Sequence, residues 1–92
     1  MYAEIRKYHM TDKDEVIRKV RAEFEPMLRT HAGFVGYYLL DEGSDVIASI
    51  TMFETQEEAQ ESNRLAADWV KASIASMVKG PPEIVEGHVV VP

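Results

Sequence analysis

The sequence contains no cysteine. That removes disulfides, thiolate zinc sites, iron–sulfur clusters and cysteine nucleophiles together. Positive charge is scarce: 10 lysines and arginines stand against 16 aspartates and glutamates, for a net charge of −6. A chain of that sign is a poor partner for nucleic-acid phosphates or an anionic membrane surface. No apolar run approaches membrane-spanning length. The opening MYAEIRKYHM carries charges where a signal peptide needs an apolar stretch, so the cytoplasm is the expected compartment. There is no phosphate-binding glycine loop, no dinucleotide fingerprint and no Ser-His-Asp arrangement. The histidines, His9, His31 and His88, match no metal-ligand spacing. No metal and no cofactor is therefore expected.

What is present fits one domain over residues 1–92. Hydrophobic residues make up 46% of the chain and charged residues 28%, the balance of a soluble globular protein. A core of this size is modest, so burying further surface in an oligomer would help.

Periodicity divides the chain into six elements. YAEIRKYH (2–9) alternates as a strand should, with Ala3, Ile5 and Lys7 on one face and Tyr2, Glu4, Arg6 and Tyr8 on the other. Thr11, with Asp14 three residues on, has the form of a capping box. Val16, Ile17, Val20, Phe24, Met27, Leu28 and His31 then hold one helical stripe for about five turns. Pro26 lies inside it and predicts a kink, since proline cannot donate to the carbonyl of Ala22. Gly33 is the expected left-handed cap. FVGYYLL and VIASITMF read as a hairpin around the DEGSD loop. Thr55 and Glu58 form a second capping box, and the helix it opens runs to about Val78, where KGPP stops it. EIVEGHVVV is a last strand. The order βαββαβ is that of an α+β, ferredoxin-like fold with a four-stranded antiparallel sheet.

The hairpin's parity groups Phe34, Gly36, Tyr38, Leu40, Val46, Ala48, Ile50 and Met52 on one face. Val35, Tyr37, Leu39, Ile47, Ser49, Thr51 and Phe53 fall on the other. Both are largely apolar, whereas a sheet with one wet face should alternate cleanly. Two helices cover only one face, so the other is expected to meet a second copy in a homodimer. The Gly36/Tyr38 face, with Ala3, Ile5, Val85, Val89 and Val91, is expected under the helices. The polar-aromatic face of Tyr37, Arg6, Glu4 and His88 is expected at the dimer interface. A one-residue bulge would invert part of this.

The second helix carries Ala59, Ser62, Asn63, Ala66, Val70, Ser73 and Met77 on one side, with Trp69 and Ile74 flanking. So many small residues, facing Gly36 and Ala48, either draw helix and sheet together or leave a cavity. The flanking tryptophan favours a cavity. An apolar pocket with a few polar groups is the usual form of a small-molecule site. Asn63 is a satisfied core amide or a donor aimed at a ligand oxygen. Trp69 is core or pocket wall, and Tyr38 needs a partner for its hydroxyl if buried.

GFVGYYLL, DVIASITMFET and EEAQESNRLAADWV together resemble the antibiotic biosynthesis monooxygenase-like group of the dimeric α/β barrel superfamily. The likeness rests on Gly33-Phe34 opening the second strand, the junction at Phe53–Thr55, and the segment Ser62–Val70. It implies a homodimer whose two sheets join in a barrel with helices outside. The activities it implies are varied, among them cofactor-independent oxygenation of polycyclic phenols, haem degradation and isomerisation. In the aromatic oxygenases an asparagine and a tryptophan of the second helix help form the cavity, and Asn63 and Trp69 have those residue types. The haem degraders place an asparagine in the first strand, where this chain offers Arg6 and Lys7. They also place an iron-ligating histidine after the helical tryptophan, and none occurs here between Trp69 and Gly80. The resemblance thus implies a homodimeric, cofactor-independent monooxygenase acting on an apolar or aromatic, phenolic small molecule. A non-catalytic ligand-binding or accessory dimer is the alternative. The expected pocket is Asn63, Trp69, Tyr38, Gly36, Ser62 and Ala66, with the general base unassigned.

Overall fold

The computed structural model describes residues 1–92. Strands β1 (Tyr2–His9), β2 (Phe34–Asp41), β3 (Val46–Phe53) and β4 (Glu83–His88) form one antiparallel sheet in the order β2-β3-β1-β4. The first and third strands are central, as the βαββαβ order requires. The first helix covers residues 13–28, and the second is Gln56–Ser73 followed by a single 3₁₀ turn, Ala75–Met77. The last strand ends at His88, short of Val89–Val91. Beyond it only the Val89 amide is tied down, to the carbonyl of Met1, and Val90 and Val91 are exposed.

The first helix is capped by Asp12, not Thr11. The Asp12 side chain accepts from the amide of Glu15, and its backbone is left-handed at φ 41°. Thr11 is drawn away because its amide donates to the carbonyl of Met77 at 2.8 Å. Ahead of Pro26, where a kink is expected, the helix widens into a π-helical stretch, Val20–Phe24, before resuming as Glu25–Leu28. The Glu25 amide reaches back five residues to Val20, just ahead of the proline that has no amide to offer.

The π turn solves a phase problem. Val16, Val20, Phe24 and Leu28 are spaced strictly by four. In an unbroken α-helix the last would lie about 120° around from the first. One extra residue in the turn takes back about 100°. All four are in the core, at 0%, 6%, 8% and 1% exposure. The helix stops at Leu28, so His31 lies beyond it, with its amide on the Leu28 carbonyl. Gly33 adopts φ 78°, as a left-handed cap should.

At the second helix, the Thr55 side chain accepts from the Glu58 amide at 3.2 Å and donates to the Glu58 carboxylate at 3.0 Å. That is the expected cap.

The hairpin pairs Tyr38 with Ile50, Leu40 with Ala48 and Tyr37 with Thr51, preserving the two residue groups read from parity. A bulge between Phe34 and Gly36 transfers Phe34 alone to the side of Phe53. The direction of the faces, however, is the reverse of that expected. The helices pack over Tyr2, Glu4, Arg6, Tyr8, Tyr37, Leu39, Ile47, Ser49 and Phe53. Ile5, Tyr38, Leu40 and Val85 lie on the uncovered face at 39%, 59%, 47% and 66% exposure.

Candidate functional site

Between the helices and the sheet lies a cavity of about 50 Å³. The small-residue stripe of the second helix does leave space, since Ser62, Asn63 and Ala66 line it together with Trp69 and Val70. Ser62 satisfies its own hydroxyl on the Ala59 carbonyl at 2.7 Å, so it presents little polarity to the cavity. The first helix contributes Val16, Val20, Phe24 and Leu28, the residues phased by the π turn.

One wall is aromatic. The Phe24 ring sits 5.0 Å from that of Trp69 and 5.7 Å from that of Tyr37. Trp69 is fixed by its indole N–H, which donates to Glu23 at 3.2 Å. Burial pushes the Tyr37 hydroxyl well above the usual tyrosine range, with the Tyr8 and Glu25 oxygens adding to the effect.

The polar end is built from β1. Glu4 is 4% exposed, and one of its carboxylate oxygens accepts from the Nε of Arg6. The other accepts from Asn63 Nδ2 at 2.6 Å. These three residues all line the cavity, beside Tyr8, Ser49 and Thr51. Burial works against the Arg6 charge, but the Tyr8 hydroxyl and the Glu4 carboxylate outweigh it and raise its pKa. No buried side-chain nitrogen or oxygen is left without a partner. The cluster is thus an ion pair whose carboxylate also accepts from an amide, in a cavity whose other walls are mainly apolar.

Of the residues expected in the pocket, Asn63, Trp69, Ser62 and Ala66 come together. Tyr38 and Gly36 do not, because they project from the opposite face, where Gly36 lies against the Met52 side chain. Of the residues expected at a dimer face, Tyr37, Arg6 and Glu4 are under the helices and line the cavity instead. His88 shares their side but lies near the sheet edge, exposed, with its ring 5.1 Å from that of Tyr2. Phe24, Ser49 and Thr51 are cavity residues not singled out as site residues from the sequence. No three histidine, aspartate or glutamate side chains gather where a metal could sit.

A second concavity, an open groove of about 460 Å³, runs between the first helix and β2, and Val20, Tyr37 and Leu39 line both spaces. These three side chains are the partition between them. The inner cavity has room for a few water molecules, against roughly 300 Å³ for the smallest drug-sized pockets. A ring-sized ligand therefore needs the cavity to widen, and Val20, Tyr37 and Leu39 are where it adjoins the larger groove.

No family model and no curated protein matches the sequence. Solved structures do. A Nitrosomonas europaea protein provisionally assigned as an antibiotic biosynthesis monooxygenase aligns at TM-score 0.81 and 17% identity, over 99% of this chain and all of the other. SnoaB, a cofactor-independent oxygenase from Streptomyces nogalater, aligns at TM-score 0.75 and 12% identity, over 99% and 94% of the two chains. A variant of MhuD with two manganese protoporphyrin IX molecules per active site aligns at TM-score 0.73 and 21% identity, over 100% and 97%. The chain therefore has the ferredoxin-like fold of the antibiotic biosynthesis monooxygenase-like proteins, in accord with the resemblance in its sequence.

Proposed function

We propose that the protein is a homodimeric, cofactor-independent monooxygenase acting on an apolar or aromatic, phenolic small molecule. The observation that carries the reading is the Glu4–Arg6–Asn63 cluster, with Glu4 buried and its two partners half-buried, lining an aromatic-walled cavity. An apolar space with a few convergent polar groups suits a flat substrate with one oxygen to be oriented. Cofactor-independent oxygenation is the activity named for SnoaB, which shares the fold. The substrate enters past Val20, Tyr37 and Leu39. Asn63 hydrogen-bonds its oxygen, and Trp69 and Phe24 wall its ring.

The chemistry is oxidation of an activated methylene by dioxygen. Deprotonation gives an electron-rich anion, which reacts with dioxygen; the methylene becomes a carbonyl and the second oxygen atom leaves as water. Anthrone, whose enol is a tricyclic phenol, is a suitable test substrate. Oxygen uptake with anthrone should exceed its autoxidation by about tenfold or more, and Asn63→Leu should lower it. Quenching of the single tryptophan by anthrone without any uptake above the buffer rate would leave a non-catalytic binding protein.

The homodimer is supported by the apolar sheet face the helices leave uncovered. Ile5, Tyr38, Leu40 and Val85 are exposed together there. Contiguous apolar surface of this kind marks an interaction site, and two copies packed sheet to sheet would cover it in an isologous manner.

A further inference from the structure

We propose that Glu4 and Arg6 act as one proton-transfer unit: Glu4 takes the proton of a bound phenol or enol, and Arg6 holds the resulting oxyanion. This rests on the reading of the cavity as a ligand site.

Three features of the pair support it. First, Glu4 is an acidic side chain central in the sheet and 4% exposed, yet it lines the cavity, so an arriving ligand meets it without competition from bulk water. Second, a carboxylate has about four lone-pair positions, and Arg6 and Asn63 use two. Capacity for a further proton remains. Third, a guanidinium carries five donors, of which the Nε serves Glu4 and the Tyr8 oxygen supports the charge from beside it. Donors are left over for an incoming oxygen.

The transfer conserves charge. The ligand O–H bond breaks, the proton passes to a Glu4 oxygen, and the electron pair stays on the ligand oxygen and delocalises into its ring. A carboxylate–guanidinium pair is exchanged for a phenolate–guanidinium pair. The cavity holds one negative and one positive charge before and after, so no new charge is created in a poorly solvated space. A phenolate entering without that exchange would place two anions against one cation. Other groups facing the pair are Tyr8, Tyr37 on β2, and Glu86, which is opposite Glu4 on β4 and occupied by the Tyr2 hydroxyl. From β3, Ser49 and Thr51 face it; from the second helix, Ser62 and Asn63; from the first, apolar residues alone.

The test uses 4-nitrophenol, whose ionised form has its own absorption band, and needs no oxygen. At a pH well below the probe's solution pKa, adding the wild-type protein should produce the phenolate band. Wild-type affinity should be level below the probe's pKa and fall about tenfold per pH unit above it, because the neutral phenol is what binds overall. Glu4→Gln removes the proton acceptor and frees Arg6 for a preformed anion. Its affinity should rise about tenfold per pH unit up to the probe's pKa and then level off, the opposite profile. Arg6→Gln should abolish the band. A probe bound to wild type in its neutral form overturns the proposal, as does an unchanged pH profile in Glu4→Gln. Failure of the probe to bind wild type overturns it together with the ligand-site reading. Should Glu4→Gln not fold, the wild-type spectrum alone decides. Oxygen uptake stands apart: its absence with the phenolate band present removes the oxygenase and leaves the proton-transfer unit.

Discussion

Gly33 meets two demands at one position. Its φ of 78° closes the turn after the first helix, and its missing side chain leaves room for Glu58, whose carboxylate oxygen would lie 2.0 Å from an added Cβ. Glu58 is in turn engaged in the cap of the second helix. Gly33→Ala should therefore cost about 1–2 kcal/mol from the left-handed backbone alone, plus the displacement of Glu58. Urea denaturation checks this, and a loss below a few tenths of a kcal/mol would contradict it. The φ requirement at Gly33 was legible in the sequence because glycine after a helical stripe has a local cause. The site residues on β1 were not. Charged side chains are almost never fully buried unless paired, so Glu4 and Arg6 read as part of the polar-aromatic face expected at the dimer interface. Their partner Asn63 is 59 residues beyond Glu4, and nothing local in the sequence reports that bond. Asn63, Trp69, Ser62 and Ala66 were legible because helical spacing alone places them on one side.

At the scale of elements, the order and strand partition followed from periodicity, and the hairpin register kept its parity apart from the bulge at Phe34. The orientation did not follow, because both faces of the hairpin are apolar and alternation then cannot distinguish core from exterior. The π turn had a signal in the strict four-residue spacing of Val16, Val20, Phe24 and Leu28, which an ideal α-helix cannot keep in phase. The strand ends are joined near the 3₁₀ turn by Asp45. It binds Lys79 Nζ at 2.8 Å and His9 Nδ1 at 3.3 Å, while the His9 carbonyl accepts the Lys79 amide. The Lys79 bond, aided by His9, holds the Asp45 carboxyl down at about 2. A depressed carboxylate contributes stability above its unfolded pKa, near 4, and loses it as pH falls through the folded value. Thermal unfolding of the wild-type chain should thus weaken between about pH 4 and pH 2. Asp45→Asn should be less stable at neutral pH and show a flatter decline across that window. An equal decline in both proteins would contradict the Asp45 contribution.

At the scale of the whole molecule, the two sheet faces divide the work. One carries the helices and the cavity, with Glu4, Arg6 and Tyr37 inward. The other exposes Ile5, Tyr38, Leu40 and Val85. The neighbouring tyrosines Tyr37 and Tyr38 thus belong to different surfaces, the first to the cavity and the second to the proposed subunit interface. Light scattering at micromolar concentration should give twice the 10.4 kDa chain mass, and Tyr38→Glu combined with Val85→Glu should give the monomer. A wild-type monomer under those conditions would contradict the dimer.

The central claim is that the ligand face is the helix-covered one. Amide and indole chemical-shift mapping with 4-nitrophenol tests it most directly. The account predicts perturbations at Glu4, Arg6, Asn63 and the Trp69 indole, with smaller ones at Val20, Tyr37 and Leu39 along the entry. Shifts confined to Ile5, Tyr38, Leu40 and Val85, or no shifts at all, would contradict it.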